Sequence, residues 1–463
     1  MVNDYDADLA VIGSGGAAMS AAITARQAGA SVVLIERAIL GGTCVNVGCV
    51  PSKTLLAAAG ARHGAATNPF AGVPTSADGV DLAALIAQKD ELIAGMRQAK
   101  YADVAHAYGF EVRPGEARFL DSDTMALDGK PLQARAYLVA TGSEPARPDL
   151  PGLDQVDYLT STTAMEQGEL PESLVVIGGG YVGLEQAQLF AHLGVSVTLI
   201  GRLAPQAEPE LAEVLRQVFT HDGITVLEEH ATAVRSDSVG VQVTTASGQE
   251  VPGQRLLVAT GRRARTDALA LEAGEVKTDA HGFIAIDEHQ RTSNPRVFAA
   301  GDVSGAPQYV YVAAAGGRVA ALNALATSPA EAQARIDYTG LPAVIFTKPQ
   351  LASAGLSQTQ AIAQGHDCEC RVLGFHDVPR ALVNRDTRGA LKLVADADTG
   401  RVLGVHAVAD GAGEIMLAAT YAIKAGMTVH ELADTWAPYL TMAESLRIAA
   451  GLFRNQMPTS CCA

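Results

Sequence analysis

The feature that most constrains this chain is one structural unit written twice. Leu9–Ile12 is an unbroken apolar run, followed by Gly13-Ser14-Gly15-Gly16-Ala17-Ala18, an alanine-rich stretch, and a second apolar run, Ser31–Ile35, closed by Glu36. The pattern returns at Leu174–Ile177, where Gly178-Gly179-Gly180-Tyr181-Val182-Gly183 leads into a helical stretch and then the run Ser196–Ile200. Each copy reads as strand, glycine turn, helix, strand. Glycines in the turn let backbone N–H groups approach a pyrophosphate, and the helix N-terminus favours its negative charge. One such turn is a weak signal, since glycines also mark ordinary turns. Two in matching settings predict two nucleotide-binding folds. Ala18 stands at the third glycine position of the first turn, a replacement the pattern permits.

Each copy has an echo downstream. Tyr137–Ala140 runs into Thr141-Gly142, Leu256–Ala259 into Thr260-Gly261, and a third apolar run, Val297–Ala300, into Gly301-Asp302. The proline-rich stretches Pro145–Pro151 and Pro342–Pro349 read as connections between domains. Beyond them, predicted strands (Leu391–Val394, Val402–Val408) alternate with predicted helices (Gly413–Lys424, Thr441–Phe453). The predicted class is α/β, with two Rossmann-like dinucleotide-binding domains and a C-terminal α+β domain. The first comprises residues 1–150 and 276–335, the second is inserted as residues 151–275, and the third is residues 336–463. A chain of 463 residues is too long for a single core, in keeping with this division.

The residue that closes the second strand of each copy separates the two nucleotide sites. Glu36 is placed to accept from a ribose 2′-hydroxyl. At the matching place in the second copy stands Gly201, followed by Arg202. No acid is there to repel a 2′-phosphate, and an arginine is available to pair with it, so the second site is expected to take NADPH.

Composition closes off other classes. With 48% hydrophobic and 18% charged residues the chain is globular rather than disordered. A net charge of −16 opposes nucleic acid and anionic membrane surfaces as partners. The N-terminus carries Asp4, Asp6 and Asp8 rather than a basic leader, and no apolar run is long enough to span a bilayer. A soluble, cytoplasmic protein is expected.

The six cysteines fall in three pairs. Cys44 and Cys49, with four residues between them, lie in Gly41–Lys53, ahead of a helix expected to start near Pro51. The helix dipole and Lys53 would stabilise a thiolate there. A reversible disulfide beside a flavin would pass two electrons. Cys461 and Cys462 are adjacent, with Cα atoms about 3.8 Å apart where a disulfide needs roughly 4.4–6.8 Å, so they are expected to stay as thiols. Two soft thiols suit a soft, thiophilic cation. Cys368 and Cys370 share one face of a strand but have no neighbouring ligand, and are read as incidental. The eleven histidines show no ligand spacing.

The Gly41–Lys53 stretch, the two glycine turns and Ala299-Ala300-Gly301-Asp302 together resemble the pyridine nucleotide-disulfide oxidoreductases, from about residue 7 to the C-terminus. The resemblance implies FAD in the first nucleotide fold, a homodimer built through the C-terminal domain, and active sites completed by the partner subunit. It implies that Cys49 is the cysteine nearest the flavin and Cys44 the outer one. Lys53 would lie near the flavin and pair with Glu185, and Asp302 would bind the ribityl chain. Gly13, Gly15, Gly16, Ala18, Glu36, Gly42, Thr43, Ala117, Thr141, Gly142 and Val310 would hold FAD. Gly178, Gly180, Gly183, Arg202 and Gly261 would hold NADPH.

Members that reduce disulfides carry a His-Pro pair near the C-terminus, with a glutamate a few residues later. Here Tyr439-Leu440 stands in that place, and Glu444 is retained without its usual partner. A tyrosine, with a reference pKa of about 10, is a poor proton shuttle at neutral pH. This departure, the Cys461-Cys462 tail, Ile12–Met19, Lys100-Tyr101, Pro307–Val312 and Pro379–Leu382 resemble the mercuric reductase branch. That likeness implies Hg(II), carried by small thiols, passing from Cys461 and Cys462 of the partner subunit to Cys44 and Cys49. Tyr101 and Tyr439 would flank the metal, and NADPH would supply electrons for reduction to Hg(0). Many members of that branch also carry an N-terminal Cys-x-x-Cys metal-binding domain, which this sequence does not contain. Dihydrolipoamide dehydrogenase- and glutathione reductase-like activities are the enzymatic alternatives, and Tyr439 argues against both. A thiol protein that merely sequesters metal is the third, and the nucleotide turns argue against it.

The strand-end reading gives a first prediction. NADPH is expected to support turnover at least about tenfold better than NADH, and Arg202→Ala is expected to raise the KM for NADPH while leaving that for NADH nearly unchanged, since one charge-assisted hydrogen bond is worth about 1.5–3 kcal/mol. Steady-state kinetics with both nucleotides check this, and a specificity ratio near one refutes it.

Overall fold

A computed structural model describes residues 5–238 and 240–454. The chain divides into two compact units, each assembled from three segments. Unit 1 takes residues 1–54, 83–147 and 261–337, and unit 2 takes residues 55–82, 148–260 and 338–463.

Unit 1 is built on a five-stranded parallel sheet in the order Val297–Ala299, Ala134–Val139, Ala7–Ile12, Val32–Glu36, Glu111–Pro114. Its inner strands are apolar at nearly every position because both faces are covered. Ala10, Ile12, Val33, Ile35 and Val139 point to one face, which packs on Phe119, Met125 and Leu132 of an antiparallel three-stranded sheet. Leu9, Val11, Leu34 and Leu138 point to the other, which is covered by the helix Gly16–Gln27 through Ala17, Ala18, Ala21, Ala22 and Ala25. Small side chains bring this helix close to the sheet and to a second helix, Val310–Leu325.

Unit 2 repeats the plan with a four-stranded parallel sheet, in the order Thr225–Leu227, Ser196–Ile200, Ser173–Ile177, Arg255–Val258. The helix Tyr181–His192 follows its glycine turn. A second helix, Pro209–His221, buries Leu211, Leu215, Val218 and Phe219 and starts with proline at its first position, where the missing N–H costs nothing. The C-terminal part of unit 2 is a five-stranded antiparallel sheet, in the order Pro342–Ile345, Gln350–Gly355, Val402–Ala409, Ala390–Asp396, Cys368–Gly374. The helix Ala412–Lys424 contributes Ile415, Met416 and Ala419 to the same core.

Three local expectations change. The stretch Pro342–Pro349 is not merely a connection: its first half is the edge strand of the C-terminal sheet, where a proline that cannot donate to a ladder is tolerated. The cysteine helix runs Cys49–Ala66, two residues earlier than Pro51 suggested, so Cys49 itself sits in the first turn. The last predicted helix is shorter, Glu444–Gly451, with a single tight turn, Leu452–Arg454, after it.

The nucleotide-binding and C-terminal parts of unit 2 are joined by a buried ion cluster. Lys392 Nζ, on the central part of a strand, donates to Glu208 Oε2 at 2.7 Å, Glu210 Oε1 at 2.9 Å and Gln358 Oε1 at 2.9 Å. Glu208 sits at the N-terminus of the helix Pro209–His221, and its Oε1 accepts from the Gln358 backbone at 2.6 Å. Both Lys392 and Glu208 are almost wholly buried. Lys392→Met is therefore expected to destabilise the protein by about 3–5 kcal/mol, because it strands a buried carboxylate. A lowered melting temperature should report this, and adding Glu208→Gln should recover much of the loss. An unchanged melting temperature in the single variant counts against the cluster's structural weight.

Candidate active site

The cysteine loop of unit 1 lies directly on the first glycine turn. Gly42, at φ +65°, heads a short helix, Gly42–Asn46, and a Cβ on it would come within 2.5 Å of the Gly15 Cα, so no larger residue fits. Ser14 Oγ accepts from the Gly41 backbone at 2.9 Å and donates to Glu36 Oε2 at 2.5 Å, while Glu36 Oε1 accepts from Ala38 N at 2.8 Å. The turn, the strand end and the cysteine loop are thus one hydrogen-bonded assembly. Asn46 reinforces it by donating to the carbonyls of Leu40 (3.1 Å) and Gly42 (2.9 Å) and accepting from Arg97 Nε at 2.9 Å.

Cys44 and Cys49 carry thiols rather than a disulfide, Cys44 half-buried and Cys49 exposed. A hydrogen bond with Cys49 and then burial push the Cys44 thiol up, and the opposing pull of the Lys53 ammonium is the smaller effect. The expected lowering by Lys53 is present but does not prevail at Cys44. Helical hydrogen bonding begins with Ser52 N to Gly48 O at 3.0 Å, which puts Cys49 at the positive end of the helix dipole. Tyr101 faces the pair from a one-turn π-helix, Gln98–Ala102, inserted between two α-helical stretches. Such a turn re-aims a side chain out of helical register and is frequent at functional sites. Burial, then the charges of Cys44 and Cys49, raise the Tyr101 phenol to about 12, so it remains a hydroxyl donor throughout the neutral range.

Sequence reasoning missed Arg262 and Ser143. Arg262 donates from Nε to Ser143 Oγ at 2.7 Å and from a terminal nitrogen to the Ser143 carbonyl at 2.8 Å, and lies 3.9 Å from Asp302. Burial pulls its guanidinium below the ordinary value, while Asp302 and Cys49 act in the opposite direction. A largely buried cation thus acts on Cys49 from a strand residue just after the Thr260-Gly261 turn, whose glycine drew attention while the arginine beside it did not. Ser143 Oγ in turn donates to Asp302 Oδ2 at 2.8 Å. Thr141 Oγ1 donates to the Arg265 carbonyl at 2.7 Å, and the Gly142 carbonyl accepts from Arg265 N at 3.0 Å.

Unit 1 therefore gathers Gly13, Gly15, Gly16, Ala18, Glu36, Gly42, Thr43, Cys44, Cys49, Lys53, Tyr101, Thr141, Gly142, Asp302 and Val310, with Ala117 buried in a flanking strand and Gly261 opening its last segment. A Cβ on Gly15 would meet nothing nearer than 3.9 Å, leaving the helix N-terminus open to a pyrophosphate, and Val310 is an exposed apolar side chain at a helix start.

Unit 2 holds Gly178, Gly180, Gly183, Glu185, Arg202 and Tyr439. The Gly180 position is equally open. Gly201 stands at φ +143°, and a Cβ there would lie 3.0 Å from Gly179 N, so this strand end excludes an acid on steric grounds. Arg202 is exposed. An acid does approach from the neighbouring strand: Glu228 Oε1 accepts from Leu203 N at 3.2 Å. Glu185 Oε1 accepts from Phe346 N at 2.9 Å. Tyr439 is half-exposed, and Leu440 has φ +60°. Glu444, which lacks the histidine partner of the disulfide-reducing members, has others. It is buried, accepts from Leu440 N at 3.3 Å and pairs with Arg447 at 3.1 Å, which fixes the turn that carries Tyr439. Cys461 and Cys462 lie outside the described residues. Cys368 and Cys370 lie on an edge strand, with both thiols pushed up chiefly by desolvation.

The asymmetry between the two inner thiols sets a labelling pattern. In reduced apoprotein Cys49 is expected to alkylate at least about tenfold faster than Cys44, because reactivity follows exposure and thiolate fraction. Adding FAD should protect Cys49 selectively. Peptide mass spectrometry checks both statements, and equal labelling of the two cysteines refutes the first.

Residues 7–317 match the family model described as pyridine nucleotide-disulphide oxidoreductase, and residues 341–450 match that family's dimerisation domain. The chain is 51% identical to a mercuric reductase from Streptomyces lividans, covering 98% of each sequence. It is 46% identical to a mercuric reductase from Lysinibacillus sphaericus, covering all of this chain and 86% of the relative. Among solved structures it resembles the Cu(II) complex of the HOCl-induced flavoprotein disulfide reductase RclA from Escherichia coli, with a TM-score of 0.85 and 27% identity over 96% of this chain and 99% of that one. Among the described residues no helix is long and apolar enough to cross a membrane. Two glycine-turn nucleotide folds, a paired thiol loop on the first of them and these matches together make the chain a member of the pyridine nucleotide-disulphide oxidoreductases, flavoenzymes that use FAD and a pyridine nucleotide, within the group that holds the mercuric reductases.

Proposed function

We propose that the chain is an NADPH-dependent mercury(II) reductase that works as a homodimer and holds its metal on Cys44 and Cys49. The overall reaction balances as Hg(II) plus NADPH giving Hg(0), NADP⁺ and a proton. The observation that carries this reading is the thiol pair itself, two hydrogen-bonded soft donors facing a tyrosine that stays protonated. The relatives named mercuric reductase support it.

FAD held in unit 1 would supply two-electron transfer between the nicotinamide and the cysteine pair. The work of this chain's residues is to prepare the metal. Cys44 and Cys49 bind as two thiolates, their protons passing to the thiolates that leave the incoming ion, a donor set that suits a soft, two-coordinate ion. Lys53, Arg262 and the helix N-terminus offset the charge that builds up there. Tyr101 keeps its proton and offers an O–H dipole without competing as a base. Cys461 and Cys462 of the partner subunit would accept Hg(II) from small thiol complexes and hand it inward by thiolate exchange, so the ion is never free. Tyr439, where disulfide-reducing members carry histidine, supports metal reduction over disulfide turnover. Arg202 would pair with the NADPH 2′-phosphate in unit 2.

The two cysteine pairs are expected to fail differently. Cys44→Ala should abolish Hg(II)-dependent NADPH oxidation with FAD still bound, since one thiolate cannot hold the ion in a two-thiolate site. Cys461→Ala with Cys462→Ala should leave reduction of the enzyme by NADPH at its normal rate. It should cripple turnover of bulky thiol-bound Hg(II) by at least about tenfold while largely sparing mercuric halide, since each lost decade needs only about 1.4 kcal/mol of barrier. NADPH oxidation followed with both ligand sets decides it. Equal rates for the tail variant and the parent on thiol-bound metal remove the relay, and efficient disulfide reduction without any response to Hg(II) removes the mercury reading.

A further inference from the structure

Tertiary structure assembles in unit 2 a ligand set that has no sequence spacing and takes no part in the cysteine chemistry. His63 lies in the helix Cys49–Ala66, about four turns beyond Cys49. His192 ends the helix Tyr181–His192, and Asp222 follows directly after the helix Pro209–His221. His192 Nε2 lies 2.9 Å from Asp222 Oδ2, and His63 Nε2 lies 3.7 Å from Asp222 Oδ1. The two imidazoles stack with centroids 3.8 Å apart at 14°. One ligand atom from each residue falls within 4.8 Å of the other two. Tetrahedral bonds of about 2.1 Å place ligand atoms roughly 3.4 Å apart, so these three need only small adjustments to meet one ion.

We propose that His63, His192 and Asp222 form a second metal site, independent of the thiols, for a borderline divalent cation of the Zn(II) type. Two imidazole nitrogens and one carboxylate oxygen are the donor set such an ion takes, with a fourth position left for water. The side chains of Asp222 and His192 are 0% and 3% exposed, while His63 is 14% exposed, which makes the His63 edge the way in for an ion.

The surroundings fit a metal carboxylate. Gln188 Nε2 donates to Asp222 Oδ2 at 2.9 Å, and Arg388 approaches Oδ1 at 3.4 Å, the outer hydrogen bonds that orient a ligating carboxylate. Arg388 shares its charge between Asp222 and Asp386, with the closer two-point pair going to Asp386, both contacts at 2.8 Å. The other nearby cations are turned to carbonyls, Lys348 Nζ to Gly60 at 3.5 Å and Arg62 to His192 at 2.9 Å. Burial, then the adjacent His192, hold His63 down at about 4, so its lone pair is available at neutral pH. Burial works to raise Asp222, but the hydrogen bonds from His192 and Gln188 prevail and keep it ionised. An ion here would pin the far end of the cysteine helix to the ends of two helices of the nucleotide fold.

The test uses oxidised, FAD-loaded protein, with the Cys44–Cys49 pair as a disulfide and every remaining thiol alkylated, so that no sulfur ligand competes. Calorimetric titration with Zn(II) is expected to give one equivalent per chain, and Cu(II) as a paramagnetic probe is expected to show nitrogen hyperfine coupling from two imidazoles. His63→Gln should weaken Zn(II) binding at least about tenfold and reduce the coupling to one nitrogen. Asp222→Asn should weaken Zn(II) likewise, and its circular dichroism separates lost binding from lost folding. No uptake of Zn(II) at millimolar concentration, or uptake and hyperfine coupling unchanged by His63→Gln, overturns the site. The outcome is independent of whether Hg(II) is the substrate.

Discussion

The central constraint in this protein is the parallel pairing of Ala7–Ile12 between Val32–Glu36 and Ala134–Val139, repeated as Ser173–Ile177 between Ser196–Ile200 and Arg255–Val258. Parallel neighbours cannot be joined by a tight hairpin, so each connection must cross over the sheet, and the first crossover in each case is a helix. Every such helix starts at the C-terminal edge of its strand, with its unpaired N–H groups facing outward. The phosphate turns follow from that topology. So does the location of the thiols, because the cysteine loop rests on the first turn through Gly42 and Gly15 and is tied to it through Ser14.

Local electrostatics then divide the labour between two chemically identical side chains. Cys44 and Cys49 share a hydrogen bond, but only one of them opens a helix and faces a buried guanidinium. Tyr101 is aimed at the pair by a one-turn π-helix and is kept protonated by burial and by the neighbouring sulfurs. Lys53 and Arg262 supply positive charge beside the dithiol, and the phenol beside it stays neutral. In unit 2, Tyr439 is half-exposed on a turn pinned by Glu444.

Unit 2 relies on a different device. Its nucleotide fold and its antiparallel C-terminal sheet meet across Lys392 and Glu208, both buried, with the more exposed Glu210 as a second carboxylate hydrogen-bonded to the same ammonium. Replacing one member is costly because the others remain in a medium that solvates them poorly. The same unit assembles His63, His192 and Asp222, again from three separate segments. In both cases the polar groups come from helix ends or strand centres, and the surrounding apolar residues supply the low dielectric that makes them matter.

The sequence by itself determined the elements whose signals are local. Apolar runs and glycine turns placed the central strands of both parallel sheets to within three residues, because each such signal depends on neighbours a few positions away. The family was legible for the same reason, from the order of those motifs. Tertiary structure decided what depends on approach between distant segments. It turned Pro342–Ile345 into an edge strand, gave Glu444 new partners in Leu440 and Arg447, placed Arg262 against Ser143 and Cys49, and brought His63 to His192 and Asp222. No periodicity records such encounters. A side chain's hydrogen-bond partner or ligand geometry is set by where packed elements end, and that is fixed only when the whole core closes around them.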